Sequence, residues 1–269
     1  MSIFSSFHST RHRSSFLSPL HRHMKSLLRH WRRAASTLAA HVPSVNVSLH
    51  RGSTPVVVRN IYCIGRNYAD HARELGNAVP TEEPIIFLKA SSSLRGLDGA
   101  EQLAYHEETF HFEVELVLLV GKFVDIGQLK SGKELSCLQA AGLGLDLTRR
   151  KKQEALKKAG LPWTLAKSFA GAAIVGPMHT LDHTCDLSNT SFQLKVNGAV
   201  KQEGHVNQMI FDIPYQLRFL NQQAPLLPGD LLFTGTPAGV GEIRRGDSFE
   251  MQFLSGFPSS MSKPSQGVL

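Results

Sequence analysis

Two carboxylates, Glu113 and Glu115, stand two residues apart inside the apolar run HFEVELVLLVGK, residues 111–122. Alternation along a strand sends both to one face while Phe112, Val114 and Leu116 take the other. Two anions on one patch either raise a pKa or require a cation, and burying them unpaired costs on the order of several kcal/mol. A third carboxylate, Asp146, lies between Leu145 and Leu147 in GLGLDLTRR. Three acidic side chains from two elements make an all-oxygen donor set, suited to Mg²⁺ or Mn²⁺ and poorly suited to Zn²⁺. A half-exposed strand with two solvated glutamates fits the 111–122 stretch equally well. The neighbouring HEETFH is no zinc motif, because His106 and His111 are five residues apart and the four-residue spacing of H-E-x-x-H is absent.

His71 and Glu74 in HARE stand at i and i+3, on one face of a helical turn. A carboxylate beside an imidazole orients it and raises its basicity, giving a base able to deprotonate water near neutral pH. The same spacing also describes an ordinary surface ion pair. Lys167 in PWTLAKSF and Thr236 in TGTPAGVG have plain readings too, a snorkelling lysine and a tight turn; the loop lacks the lysine of a phosphate loop.

These residues must be positioned by short elements. VVVRNIYCIG reads as a strand ending at Gly65, NYADHARELG as a helix closed by Gly76, and PIIFLKA as a strand. LSCLQAAGLGLDLT is helix or strand; its periodicity does not decide. RRKKQEALKKAG is a charged helix stopped by Gly160 and Pro162, and Asn197-Gly198 within FQLKVNGAVKQEG signals a hairpin. MIFDIPYQLRFLNQ gives a further helix, and LLPGDLLFTGTPAGVG a turn, a strand and a Gly-rich loop. Many short strands, few helices and no regular alternation between them point to an α+β, β-rich fold.

The 269 residues allow one domain of about 200 residues plus an extension. Of 29 Lys and Arg, seven lie in residues 1–50, which hold no acidic residue, leaving 22 basic against 22 acidic in the remainder. The neutral remainder argues against nucleic acid as a partner. In LHRHMKSLLRHWRRAAST, Leu20, Met24, Leu27, Leu28 and Trp31 fall at helical spacing among arginines. This basic amphipathic segment, residues 1–41, reads as an organelle import presequence, mitochondrial rather than plastid; a disordered basic tail and a surface membrane anchor are its alternatives. Residues 42–57 read as a linker. Cys63, Cys137 and Cys185 are odd in number and far apart, which implies neither a metal site nor disulfides. No run is long enough to span a bilayer.

Taken in order, GRNYADH, FLK, FEVELVLLVGK, LDLTRR, GLPWTLAKSF, LKVNG with QEG, and GDLLFTGTPAGVG resemble the fumarylacetoacetate hydrolase superfamily across residues 58–250. The resemblance is greatest to its small organellar acylpyruvate hydrolase branch, whose members are also known as oxaloacetate decarboxylases. It implies a mixed β-sheet roll of the type of that superfamily's C-terminal domain, and a homodimer. It implies Mg²⁺ (or Mn²⁺) on Glu113, Glu115 and Asp146, and a catalytic His71–Glu74 dyad on a segment that closes over the ligand. A small keto-acid substrate is then contacted by Arg66, Arg150, Gln153, Lys167 and Thr236, with Lys167 also catalytic. The expected reaction is C–C bond hydrolysis of acylpyruvates (2,4-diketo acids) to pyruvate and a carboxylic acid; oxaloacetate decarboxylation and keto-enol tautomerisation are alternatives at the same site. One departure stands out. Residues 251–269, MQFLSGFPSSMSKPSQGVL, form a Ser/Pro/Gly-rich tail unlike the family's ending, which predicts a mobile end and an unpaired sheet edge, and leaves open an inactive or poorly folding isoform acting at most as a binding partner.

Overall fold

A computed structural model describes residues 43–49, 52–97, 109–130 and 132–269; the presequence reading of residues 1–41 and His106 lie outside them. In chain order the strands are β1 (Ser44–Leu49), β2 (Gly52–Val57), β3 (Ile61–Gly65), β4 (Ile85–Lys89), β5 (Leu94–Gly96), β6 (Phe110–Phe112), β7 (Val114–Val120) and β8 (Leu138–Asp146). They continue with β9 (Ala173–Val175), β10 (Met178–Thr180), β11 (Ser191–Val196), β12 (Ala199–His205), β13 (Leu231–Phe233), β14 (Gly241–Ile243), β15 (Ser248–Ser255) and β16 (Ser265–Val268). The α-helices among the described residues are α1 (Ala69–Glu74), α2 (Arg150–Lys158), α3 (Thr164–Lys167) and α4 (Ile213–Gln223).

The largest sheet runs β2-β1-β10-β8-β7-β13-β3-β4, with β9 on β8 and β5 on β9. It is mixed: β1 with β10, β13 with β3 and β5 with β9 are parallel, and its other pairs are antiparallel. A second, antiparallel sheet runs β12-β11-β15-β16, and β14 pairs with β6. This is the β-rich α+β architecture expected from the sequence.

Strand β7 lies in the middle of the large sheet and is buried along its whole length. Val114, Leu116 and Leu118 join a core shared with Phe192, Leu194, Phe249 and Met251 of the second sheet, while Val117 and Leu119 pack with Ile61, Cys63 and Phe233 on the other side. At roughly 1.5–3 kcal/mol per fully buried large aliphatic side chain, this double burial fixes the strand's register. Any carboxylate on it is held in place by the core. The undecided segment before Asp146 is strand β8, buried from Ala140 to Asp146, so it shows no polar alternation from which its type could be read.

Two boundaries differ from the sequence reading. Residues 44–57 are not a linker: β1 and β2 pair antiparallel from Ser44 with Val57 to Leu49 with Gly52, and β1 joins β10. Pro55 falls on β2, the outermost strand of the sheet, where proline is tolerated. The C-terminal residues are not a loose tail either. β15 continues to Ser255, β16 pairs with it from Ser248 with Val268 to Met251 with Ser265, and Leu269 is buried. Phe253 and Phe257 stack with ring centroids 4.1 Å apart. Pro258 and Pro264 lie in the connection between β15 and β16, so neither interrupts the ladder. All three cysteines are free.

Candidate metal centre and active site

Glu113 occupies the single-residue break between β6 and β7, Glu115 is the second residue of β7, and Asp146 ends β8. The antiparallel register of β7 with β8 places Glu115 opposite Gly144, and Asp146 N–H donates to the Glu113 carbonyl at 2.9 Å. All three carboxylates are buried, which removes the half-exposed alternative, and one oxygen from each can be chosen so that all lie within 4.8 Å of one another.

Cations surround this cluster. Lys167, at the end of α3, spends its three protons on Glu113 Oε2 (2.7 Å), Asp146 Oδ2 (2.7 Å) and Thr148 Oγ1 (2.6 Å). Arg150 meets Glu113 Oε1 at 2.5 Å and donates to Gln153 Oε1 at 2.6 Å. Lys89 Nζ stands 2.6 Å from Asp146 Oδ1. The same ammonium also donates to the carbonyls of Leu147 (3.2 Å), Lys167 (2.5 Å) and Ala172 (2.8 Å), which anchors it beside the carboxylate. Three buried carboxylates that converge within 4.8 Å as an all-oxygen donor set fit a hard divalent cation such as Mg²⁺ or Mn²⁺.

The electrostatics separate the two glutamates. Burial opposes ionisation of Glu113, but Lys167, Arg150 and His71 outweigh it and hold its carboxyl well below the ordinary range. Burial pushes Glu115 well above the ordinary range, and Asp146 and Glu113 push it the same way; the Gly235 N–H, 2.7 Å from Glu115 Oε2, and Lys167 only partly offset them. Gly235 is required there: its φ is +106° and a Cβ would stand 2.5 Å from the Cβ of Asn67.

His71 is buried on α1, with Nδ1 3.6 Å from Glu74 Oε2. Burial lowers its pKa, Arg150 and Lys167 add to that, and Glu113 and Glu74 oppose it, so the imidazole is neutral near pH 7 and can take a proton. Glu74 also accepts from Gly239 N–H at 3.2 Å, tying the helix to the TGTPAGVG loop. Thr236 in that loop donates to the Val114 carbonyl (2.9 Å) and accepts from Gln202 Nε2 (2.8 Å).

One pocket brings together Arg66, His71, Gln153, Lys167 and Thr236 with the three carboxylates. Arg150 adjoins it through Glu113, and Glu74 through His71. Lys167 and Arg150, both expected as substrate contacts, are here engaged with the acidic cluster itself. Residue chemistry alone assigned no role to Lys89, Thr148, Asn67 or Gln202, although each lies inside a motif quoted above. Asn67 joins the amide N–H and carbonyl of Phe211 to the Thr234 carbonyl by three bonds of 2.8–3.0 Å, so it positions loops rather than reactants. His111 belongs to the surroundings of the site without being a candidate ligand; its Nδ1 lies 3.5 Å from Arg150 Nε.

Residues 60–262 match the family described as Fumarylacetoacetate (FAA) hydrolase C-terminal. The chain belongs to the fumarylacetoacetate hydrolase family. Among its relatives, the mitochondrial oxaloacetate tautomerase of Homo sapiens is 38% identical over 195 residues, 71% of this chain and 86% of that protein. The mitochondrial oxaloacetate decarboxylase of Dictyostelium discoideum is 39% identical over 190 residues, 70% of this chain and 85% of that protein. Among solved structures, fumarylpyruvate hydrolase from Pseudomonas aeruginosa in complex with Mn²⁺ and pyruvate superposes with a TM-score of 0.74 at 29% identity, covering 84% of this chain and 95% of that one. These relatives are enzymes.

Proposed function

We propose that the chain is a metal-dependent enzyme of 2-keto acids that cleaves the C–C bond of acylpyruvates to give pyruvate and a carboxylic acid. The observation that carries this is three buried carboxylates and a neutral, buried imidazole around one pocket. Bound by Glu113, Glu115 and Asp146, Mg²⁺ or Mn²⁺ would supply Lewis acidity and a template for the substrate's carboxylate and 2-keto oxygens. Arg66 and Gln153 fix the substrate directly, while Arg150, Lys167 and Thr236 hold the carboxylate cluster and the 234–239 loop against which it lies. His71, oriented by Glu74, takes a proton from water as its oxygen adds to the distal carbonyl. The C–C bond then breaks, the acyl carbon leaves as the carboxylic acid, and the electron pair passes to the pyruvate fragment as an enolate beside the Lys167 ammonium. The proton returns from His71 to the enolate carbon.

The two oxaloacetate-named relatives favour a second reading at the same residues. Loss of CO₂ from oxaloacetate leaves the same enolate, and moving a proton between its C3 and keto oxygen is tautomerisation. Only hydrolysis needs activated water, so His71→Ala should abolish acylpyruvate cleavage and keep part of any oxaloacetate decarboxylation; equal losses would assign His71 another role. Rates on acetylpyruvate, fumarylpyruvate and oxaloacetate, with Mg²⁺ and with chelator, test the whole proposal, which fails if none is turned over. A non-catalytic binding partner has less support now that the C-terminal residues pack in β15 and β16. The proposal includes a homodimer, to be measured by light scattering, and mitochondrial import by residues 1–41, tested by fusing them to a reporter; both relatives named above carry a mitochondrial name.

A further inference from the structure

The acidic half of the pocket has its own cations, whereas the rim has two more with no acidic partner there. Lys157, on the last turn of α2, lines the pocket and donates to Asn77 Oδ1 at 2.8 Å. Arg66 lines it as well and makes no ion pair with any described residue. Its φ is +57°, a left-handed conformation that costs a non-glycine residue about 1–2 kcal/mol. Such a residue persists where the surrounding structure holds it, often at a ligand site.

Lys157 and Asn77 are both held by helix ends of one kind. After α1, Gly76 N–H donates to the Arg73 carbonyl and Asn77 N–H to the Ala72 carbonyl, both at 2.9 Å, with Gly76 at φ +63°. After α2, Gly160 N–H donates to the Lys157 carbonyl (3.2 Å) and Leu161 N–H to the Leu156 carbonyl (2.9 Å), with Gly160 at φ +64°. Both are Schellman closures, which fix the chain direction at the two residues that meet across the pocket mouth. The Asn77 carbonyl oxygen takes one proton of the ammonium and leaves two for a ligand. Burial lowers the proton affinity of Lys157, Arg66 and Arg150 lower it further, and Glu154 opposes them. Among the described residues the ion pairs of the carboxylate cluster are made by Lys89, Arg150 and Lys167, and neither Lys157 nor Arg66 takes part in them. Between the two ends the pocket wall includes Leu75, Phe87 and Trp163.

The geometry points to a second anion subsite at this rim, in which Lys157, oriented by Asn77, and Arg66 bind the distal carboxylate of a dicarboxylic 2-keto acid, so that the pocket selects dianions over keto acids ending in an alkyl group. The inference rests on the keto-acid reading above and narrows it. One charge-assisted hydrogen bond to a distal carboxylate is worth roughly tenfold or more in affinity.

Malate and 2-hydroxybutanoate are stable 2-hydroxy acids that differ only in carrying a carboxylate or a methyl at the far end, and calorimetric titration of the Mg²⁺-loaded full chain with each isolates the rim. Malate should bind the unaltered protein about tenfold or more tightly than 2-hydroxybutanoate. Lys157→Gln should bring that ratio to within about threefold, with the loss falling on malate; Lys157→Arg should restore most of it, and Asn77→Ala should give an intermediate ratio. Equal affinity of the two acids in the unaltered protein, or equal weakening of both by Lys157→Gln, would overturn the subsite while leaving the keto-acid reading standing. If neither acid binds and no keto acid is turned over, both fall together.

Discussion

Gln202 reaches from β12 to the start of β7 and is 1% exposed. Its Oε1 accepts from Val114 N–H at 2.9 Å, and its Nε2 donates to Thr236 Oγ1 and to the Pro237 carbonyl, both at 2.8 Å. Gln202→Met keeps length and removes all three bonds. Val114 N–H and the Pro237 carbonyl are stranded, at about 1–3 kcal/mol each. The Thr236 hydroxyl still has the Val114 carbonyl. Partial relaxation and the apolar gain of methionine reduce the sum to about 3 kcal/mol, a fall of roughly 6–12 °C in Tm for a domain of this size. Because Thr236 and the loop carrying Gly235 lose their brace, kcat/KM should fall about tenfold as well, equivalent to about 1.4 kcal/mol. Urea and thermal melts measure the first effect and initial rates the second. Combining Gln202→Met with Thr236→Val should cost less than the sum of the two single changes, since both act through one bond. A stability loss below about 1 kcal/mol, or full additivity, would refute the claim that this buried bridge holds the loop against β7.

Glu115 titrates above the ordinary carboxyl value, so the metal-free folded state binds more protons than the unfolded chain; the resulting stability is present below about pH 4.5 and lost as pH rises through the raised value. Metal binding requires the carboxylate, so Mg²⁺ affinity should rise with pH and binding should release a proton, seen as a dependence of calorimetric heat on buffer ionisation enthalpy; Glu115→Gln should abolish that release. Deleting residues 263–269 removes β16 and the buried Leu269, which should destabilise the chain by about 3 kcal/mol and expose the edge of β15 to aggregation. Limited proteolysis should leave the unaltered chain resistant beyond Glu250; early cleavage there would contradict the packing of β16.

The candidate ligands were legible because a carboxylate inside a run of buried aliphatics violates the pattern that the rest of the run obeys. Glu113, Glu115 and Asp146 each stand out in this way. His71 with Glu74 and the hairpin at Asn197-Gly198 were legible from local spacing; the hairpin turn has φ of +50° and +78° at those residues. What could not be read is what depends on distant pairing. Lys89 reaches Asp146 across 57 residues and Gln202 reaches Val114 across 88, and nothing local marks either side chain for that contact. β8 escaped assignment because burial on both faces erases alternation. The two boundary errors have one cause: serine, proline and glycine in residues 42–57 and 251–269 mimic a loose segment, yet Pro55 sits on an edge strand and Pro258 and Pro264 sit between strands.

The central claim is that Glu113, Glu115 and Asp146 hold one divalent cation. Mn²⁺ binding followed by electron paramagnetic resonance, on the unaltered chain and on Glu113→Ala, Glu115→Ala and Asp146→Ala, tests it without reference to any substrate. One bound Mn²⁺ per chain, displaced by Mg²⁺, is expected, with loss of that ion in each variant; metal-free Glu113→Ala and Asp146→Ala should also melt lower than the metal-free parent, because each leaves the buried Lys167 ammonium without one of its carboxylate partners. An Asp146→Ala chain that still binds one Mn²⁺ with the parent's affinity would contradict it.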